Sequence, residues 1–115
     1  FNLVIKDKTI NGIKVREQVL KDFPPKELRG IIDQGKKDIK SGIIISISIF
    51  EDKVGVAIGV SKDLTSKYDA VKLVKIASKI MGGKGGGGRK DFAQAGGVDK
   101  NKIQEVFNEI SKKIN

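Results

Sequence analysis

The chain contains no cysteine, no histidine and no tryptophan, and it has only one tyrosine and two prolines among 115 residues. Without cysteine, disulfides and thiolate metal sites are excluded, and the lack of histidine removes the other common zinc ligand. Nucleophilic triads and acid–base catalysis by an imidazole are excluded for the same reason. We therefore expect no metal, no cofactor and no catalytic residue, and no chemistry performed by this chain alone.

Long apolar runs are absent as well. The longest apolar stretch, residues 43–50, is too short to span a bilayer as a helix, and no charged-then-apolar signal segment opens the chain. We expect a cytoplasmic protein without a membrane partner. The length fits a single domain over residues 1–115, and the start at Phe1 instead of methionine suggests a fragment of a longer protein.

Acidic residues are few relative to basic ones. The chain carries 23 lysines and arginines against 14 aspartates and glutamates, which gives a formal net charge of +9. This surplus favours a polyanionic partner, nucleic acid above all, through phosphate contacts and the release of counterions. A lysine-rich surface that serves only solubility is the alternative interpretation.

Hydrophobic periodicity predicts the order of strands and helices. Strands are predicted over residues 3–5, 13–19, 42–50 and 54–60, with a hairpin turn at Asn11-Gly12. Helices are predicted from Pro24-Pro25 to Gly35 and over residues 68–81, followed by a glycine loop, a short edge strand over 92–95 and a last helix capped by Asp99. The order β-β-α-β-β-α-(glycine loop)-β-α predicts an α/β fold of mixed α+β character, a single domain with a mixed central sheet flanked by helices.

One face of the strand over residues 54–60 is almost bare, because Gly55, Ala57 and Gly59 alternate with branched side chains. A bare face favours a closely packed helix over direct contact with a ligand backbone. A protein-interaction or dimerisation module that uses this face is a further alternative.

Glycine is concentrated in residues 82–97, where ordering each one costs roughly 0.5–1 kcal/mol relative to alanine. Glycine bares backbone amides that can converge on an anion, and Lys84, Arg89 and Lys90 add positive charge beside them. This combination predicts a phosphate-binding loop, with a solvated linker as the alternative. A Rossmann loop is excluded because a helix precedes the run, and a Walker A loop is excluded because Gly85 follows Lys84.

Three lysines, Lys72, Lys75 and Lys79, recur at three- and four-residue intervals in the helix before the glycine run. They share one helix face, which is either an ordinary solvated face or a stripe that follows a nucleic-acid backbone toward the loop. Asp91 is the acidic residue of the loop, and we expect it to be ionised and paired with neighbouring cations rather than to act as a base.

The residues after the glycines resemble a known signature. Arg89, Asp91 and the block Phe92-Ala93-Gln94-Ala95-Gly96-Gly97 fall in order on the pattern of the C-terminal globular, DHH-associated domain of alanyl-tRNA synthetases. Leu28-Arg29 with Asp33, and Ser61-Lys62-Asp63-Leu64, extend the resemblance over essentially the whole chain. The chain is similar, more loosely, to the accessory domain of DHH-family phosphoesterases that act on single strands, but Arg89 stands where that family carries a histidine.

The resemblance implies a C-terminal module that binds the elbow of tRNA and helps present it to aminoacylation and editing domains. The parent would be an ATP-dependent alanine-tRNA ligase, with ATP, magnesium and zinc only in its other domains. Alanine-specific tRNA is the expected partner, the parent's other domains are further contacts, and a homodimer is an additional candidate assembly. With the lysine helix added on our own inference, the expected RNA-binding residues are Lys72, Lys75, Lys79, Gly83, Lys84, Gly85, Gly86, Gly87, Gly88, Arg89, Lys90, Gln94, Gly96 and Gly97.

Overall fold

The computed structural model describes residues 2–114, and Phe1 and Asn115 lie outside this range. Its strands are β1 (Asn2–Ile10), β2 (Ile13–Lys21), β3 (Ile43–Phe50), β4 (Lys53–Val60), β5 (Gly86–Arg89) and β6 (Phe92–Gly97). Its helices are α1 (Leu28–Ile39), α2 (Ala70–Ile80) and α3 (Ile103–Lys112), and short 3-10 turns precede α1 (Pro25–Glu27), follow β4 (Lys62–Leu64) and precede α3 (Lys100–Lys102). The predicted order of elements is confirmed, except that part of the glycine run is itself a strand, β5.

The described strands form one mixed sheet in the order β1-β2-β3-β4-β6-β5. Neighbouring strands are antiparallel except β2 and β3, which are parallel because α1 crosses over between them. The predicted α/β fold of mixed α+β character, with a mixed sheet flanked by helices, is therefore confirmed. The prediction of an edge strand over residues 92–95 is wrong, because β5 takes the edge position and leaves β6 between two strands.

Two glycines in the first half of the chain do different things. Gly12 follows Asn11 in the first hairpin turn, where positive φ angles of 50° at Asn11 and 81° at Gly12 suit a tight turn between twisted strands. The sequence predicts that the first helix ends at Gly35, but α1 continues to Ile39. A Cβ atom at Gly35 would lie 3.0 Å from Cγ1 of Ile44, so this glycine allows the helix to approach β3 closely.

The larger core lies between the sheet and the helices α2 and α3. Alternating branched side chains of β3 and β4 are fully buried on this side, and they comprise Ile43, Ile45, Ile47, Val56, Ile58 and Val60. Burial of such side chains, at about 1.5–3 kcal/mol each, is the main stabilising contribution. Asp69 caps the N-terminus of α2, and its carboxylate accepts a hydrogen bond from the Val71 amide at 2.9 Å.

The bare face of β4 is covered by α1 and by the turn before it. A Cβ atom at Gly59 would overlap the Ile32 side chain, and one at Gly55 would lie 2.7 Å from Cβ of Pro25. Ala57 is fully buried in the same layer. The prediction of a closely packed helix on this face is confirmed, so the alternatives that leave this face free for a ligand or for dimerisation are wrong.

Candidate nucleic-acid interface

The glycine run and the synthetase signature together form a β-hairpin at one edge of the sheet. β5 pairs with β6 so that Gly87 lies opposite Gln94 and Arg89 opposite Phe92, and Lys90-Asp91 makes the turn. All four residues of β5 are exposed. This hairpin carries most of the residues expected to bind RNA.

The hairpin turn is held in place from three sides. The Lys90 carbonyl accepts a hydrogen bond from the Ala70 amide at 2.9 Å, which joins the turn to the start of α2. The Asp91 carbonyl accepts from the Val60 amide at 2.9 Å and from Nζ of Lys36 at 2.8 Å. The turn is therefore fixed relative to α1, α2 and β4, so the backbone that presents Arg89 and Lys90 is anchored.

The backbone amides between α2 and β5 do not converge on solvent as the anion-cradle hypothesis expects. The Gly83 amide donates to the Ser78 carbonyl at 2.7 Å, and the Gly85 amide donates to Oγ of Ser78 at 3.0 Å. The same hydroxyl donates to the Gly96 carbonyl at 3.0 Å. Ser78, near the end of α2, therefore binds both the segment that leads into β5 and the end of β6. The amides of Gly83 and Gly85 already have partners within the protein.

Four of the eight glycines in residues 82–97 are required by close packing. A Cβ atom at Gly83, Gly86 or Gly88 would overlap a backbone carbonyl oxygen of β6, and one at Gly97 would lie 2.7 Å from Cβ of Met81. Gly85 has a φ of 98°, which favours glycine for conformational reasons.

Gly87 and Gly96 are different. A Cβ atom at Gly87 would meet no neighbouring atom within 4 Å, and one at Gly96 would meet only the Val54 carbonyl oxygen, at 3.9 Å. Neither residue has a positive φ. No contact within the described residues explains why these two positions are glycine.

The basic residues surround the hairpin instead of forming one cluster. Lys84 follows the C-terminal end of α2, whereas Arg89 and Lys90 lie beside its N-terminal end. Lys72, Lys75 and Lys79 are exposed along the helix between them. Arg89 is 4.0 Å from the Asp91 carboxylate and its side chain is 72% exposed. None of the five lysines takes part in an ion pair among residues 2–114, so their charge is available to a polyanion.

Three further basic residues lie on the α1 side of the hairpin, and the sequence does not predict them as contacts. The guanidinium of Arg29 lies over the Phe92 ring, 4.6 Å from its centre. Lys26 and Lys53 line a shallow depression whose floor includes Gln94 and Gly96. Arg29 stands out in the sequence only as part of the family resemblance, because sequence spacing gives no sign that α1 crosses the start of β6.

Gln94 closes this side of the hairpin against the first helix. Its Nε2 donates to the Pro25 carbonyl at 3.2 Å, which fixes the turn before α1 on β6.

Within residues 2–114, no group of acidic side chains is arranged to hold a metal ion, and no helix has the length and apolar character needed to cross a membrane.

The family model of the DHHA1 domain matches residues 12–115. The chain belongs to the DHHA1 domain family. Two similar proteins are alanine-tRNA ligases, that of Paramagnetospirillum magneticum at 47% identity over 107 residues and that of Hyphomonas neptunium at 46% over 103 residues. These matches take in 93% and 90% of this chain but only 12% of either relative.

Two solved structures are similar in fold to this DHHA1 domain. The C-Ala domain from Aquifex aeolicus alanyl-tRNA synthetase superposes with a TM-score of 0.88 at 29% identity, covering 95% of this chain and 97% of that one. A DHH-domain structure from a family of ribosomal proteins gives a TM-score of 0.61 at 22% identity, over 96% of this chain and 27% of that one, which shows a shared fold. The resemblance to the alanyl-tRNA synthetase module is confirmed.

Proposed function

We propose that this chain is the C-terminal, tRNA-binding module of an alanine-tRNA ligase. In this proposal it contacts the tRNA elbow, the corner where the D and T loops meet, and helps present the tRNA to the aminoacylation and editing domains of its parent. It acts in the cytoplasm and binds alanine-specific tRNA. ATP, magnesium and zinc belong to the parent's other domains, and for zinc this agrees with the absence of cysteine and histidine from this chain.

The observation that supports this proposal most strongly is the exposed, anchored hairpin that bears the synthetase signature. Its turn presents Arg89 and Lys90, and Lys84 lies at its other end. A cation that forms no strong ion pair within the protein contributes the most binding free energy when it contacts a phosphate, because it gives up no internal partner on binding. The elbow is a shaped, partly unstacked RNA surface, and such surfaces are recognised by shape, stacking and phosphate contacts.

We expect the charges of the hairpin turn to set the salt dependence of binding. Replacing Arg89 and Lys90 together with alanine should weaken tRNA binding and lower the slope of log Kd against log salt by about 1.4–1.8, because each phosphate contact contributes roughly 0.7–0.9. Titration of alanine tRNA at several salt concentrations measures both quantities. A matched control replaces Lys6 and Lys14, two exposed lysines near the opposite edge of the sheet, and should keep the wild-type slope.

Equal slopes for the hairpin variant and the wild type would contradict the phosphate-contact role. Recognition of the elbow itself is tested with tRNA whose D and T loops are altered so that they no longer dock, and we expect its affinity to fall well below that of intact tRNA. Equally tight binding to an unstructured single strand of the same length would instead support the accessory-domain function of a DHH-family phosphoesterase.

A further inference from the structure

The two faces of the β5–β6 hairpin differ in what covers them. Residues directly opposite each other on antiparallel strands share a face, so Gly86 and Gly88 lie with Ala95 and Ala93 on the α2 side. Ala93 belongs to the core that α2 covers. Gly87 shares the α1 side with Gln94, and this side is open where α1 does not reach.

On the α1 side, the guanidinium of Arg29 is held without a carboxylate partner. Phe92, only 8% exposed, supports it from below at 4.6 Å, whereas Arg29 itself is exposed. Arg29 takes part in none of the ion pairs formed among residues 2–114. A guanidinium over a buried ring gives a flat, positively charged surface that can take a second planar group.

Further basic residues lie along this side of the hairpin. Arg89 lies opposite Phe92 in the β5–β6 pairing, on the α1 side, and Lys26 and Lys53 line the adjoining depression. The floor of the α1 side, at Gly87 and Gly96, has no side chain that would keep a ligand away. Planarity beside phosphate-binding charge is the combination that stacked, single-stranded bases require, whereas an acidic peptide would need no flat surface.

We propose that the α1 side of the hairpin, and not the lysine face of α2, receives an unstacked RNA base. The base stacks on the Arg29 guanidinium above Phe92, and its phosphates lie among Arg89, Lys26 and Lys53. This inference rests on the proposed tRNA-binding function and assigns the contact to one surface of the domain. Arg29 acts as a stacking residue in this arrangement, in addition to its charge.

The first test compares Arg29→Ala, Arg29→Lys and Lys37→Ala in the 115-residue chain, with folding checked by circular dichroism. Lys37 is an exposed cation further along α1 and serves as the matched charge control. We expect Kd for alanine tRNA to rise about fivefold or more in both Arg29 variants, because lysine keeps the charge but not the plane. Lys37→Ala should bind nearly as the wild type does.

Stacking itself is read from 2-aminopurine placed at single positions in the D and T loops. At one position, binding of the wild type should change the fluorescence, and binding of Arg29→Lys should not produce this change. Wild-type affinity in Arg29→Lys, or no change at any position, would overturn the stacking role. Such a result leaves tRNA binding intact if the Arg89 and Lys90 variant still lowers the salt slope, whereas a wild type that does not bind tRNA overturns both proposals.

A second variant tests the same surface and leaves Arg29 and Phe92 unchanged. Gly87→Val adds bulk to the open floor of the α1 side, where a Cβ atom meets no atom of the protein within 4 Å. We expect unchanged thermal stability and a rise in Kd of about fivefold or more, because the added side chain occupies the space of the stacked base. Gly30→Ala, at an equally open glycine on α1, is the control and should bind as the wild type does. Wild-type binding by Gly87→Val would place the RNA elsewhere and overturn the assignment to this face.

Discussion

At the scale of single residues, the glycine run combines two kinds of position that look identical in the sequence. Gly83, Gly86 and Gly88 have no room for a side chain because a neighbouring strand carbonyl lies against them. Gly87 and Gly96 have room and ordinary φ angles. The first kind builds the hairpin, and the second kind leaves its surface bare.

This division predicts opposite effects of the same substitution at adjacent positions. Gly86→Ala should destabilise the domain by about 1–3 kcal/mol, because the added methyl overlaps the Gln94 carbonyl oxygen and the Ala95 side chain. Gly87→Ala should be neutral or stabilise by up to about 1 kcal/mol, because it only restricts the unfolded chain. Thermal unfolding of both variants measures the difference, and equal melting temperatures would contradict this account of the run.

At the scale of elements, a charge cluster joins β1, β2 and α1 near the edge of the sheet opposite the hairpin. The Arg16 side chain donates to Asp7 at 2.8 Å and to Asp38 at 2.9 Å. Hydrogen bonding to Arg16 lowers the pKa of Asp7 below its ordinary value of 3.8. The pKa of Asp38 is also lowered, by Arg16 first and by Gln34 second. Both carboxylates are therefore more acidic in the folded protein.

The sign of the pH dependence follows from these lowered pKa values. The stabilisation is complete above the unfolded-state pKa near 3.8, and it is lost as the pH falls through the lower, folded-state values. The stability difference between the wild type and Arg16→Gln should be constant near neutral pH and narrow below pH 3.8. Urea unfolding at a series of pH values measures it.

Lys14→Gln provides the control for this acid-range prediction, because Lys14 is an exposed cation on the same strand that enters no ion pair among residues 2–114. The stability difference between Lys14→Gln and the wild type should not narrow below pH 3.8. A constant Arg16→Gln difference down to about pH 2 would show that the cluster does not stabilise the fold.

At the scale of the whole molecule, the net charge of +9 creates an electrostatic field that acts over longer distances than any single contact. Lys72, Lys75 and Lys79 lie on α2, on the opposite side of the sheet from Arg29 and α1. Cations at a distance from the contact attract RNA and speed its association, and added salt removes this effect. In the proposed arrangement we therefore expect these lysines to attract RNA at long range rather than to touch its backbone.

Replacing all three α2 lysines with glutamine should slow tRNA association at low salt and leave the dissociation rate unchanged. The effect should disappear near about 0.5 M salt, where the screening length falls to about 4 Å. Stopped-flow measurement at two salt concentrations separates the two rates. Faster dissociation of the variant would instead show that the lysines touch the RNA backbone directly.

The sequence by itself determined the order of the elements, the mixed sheet and the family. Alternation at Ile43, Ile45 and Ile47, the Asn11-Gly12 turn and the unbroken signature from Arg89 to Gly97 are local patterns, and local patterns are visible in one dimension. The sequence also predicts an interface at the glycine run and its neighbouring cations. It did not reveal a strand at Gly86–Arg89, because consecutive glycines have low strand propensity.

Only the tertiary structure decided which face of each element is covered. Lys84 lies near the C-terminal end of α2, whereas Arg89 and Lys90 lie near its N-terminal end, because β5 carries the chain back along the helix. Arg29 and Phe92 are far apart in the sequence yet lie in contact, since α1 crosses β4 and reaches β6. Such contacts arise from the packing of whole elements, and no short-range spacing in the chain encodes them.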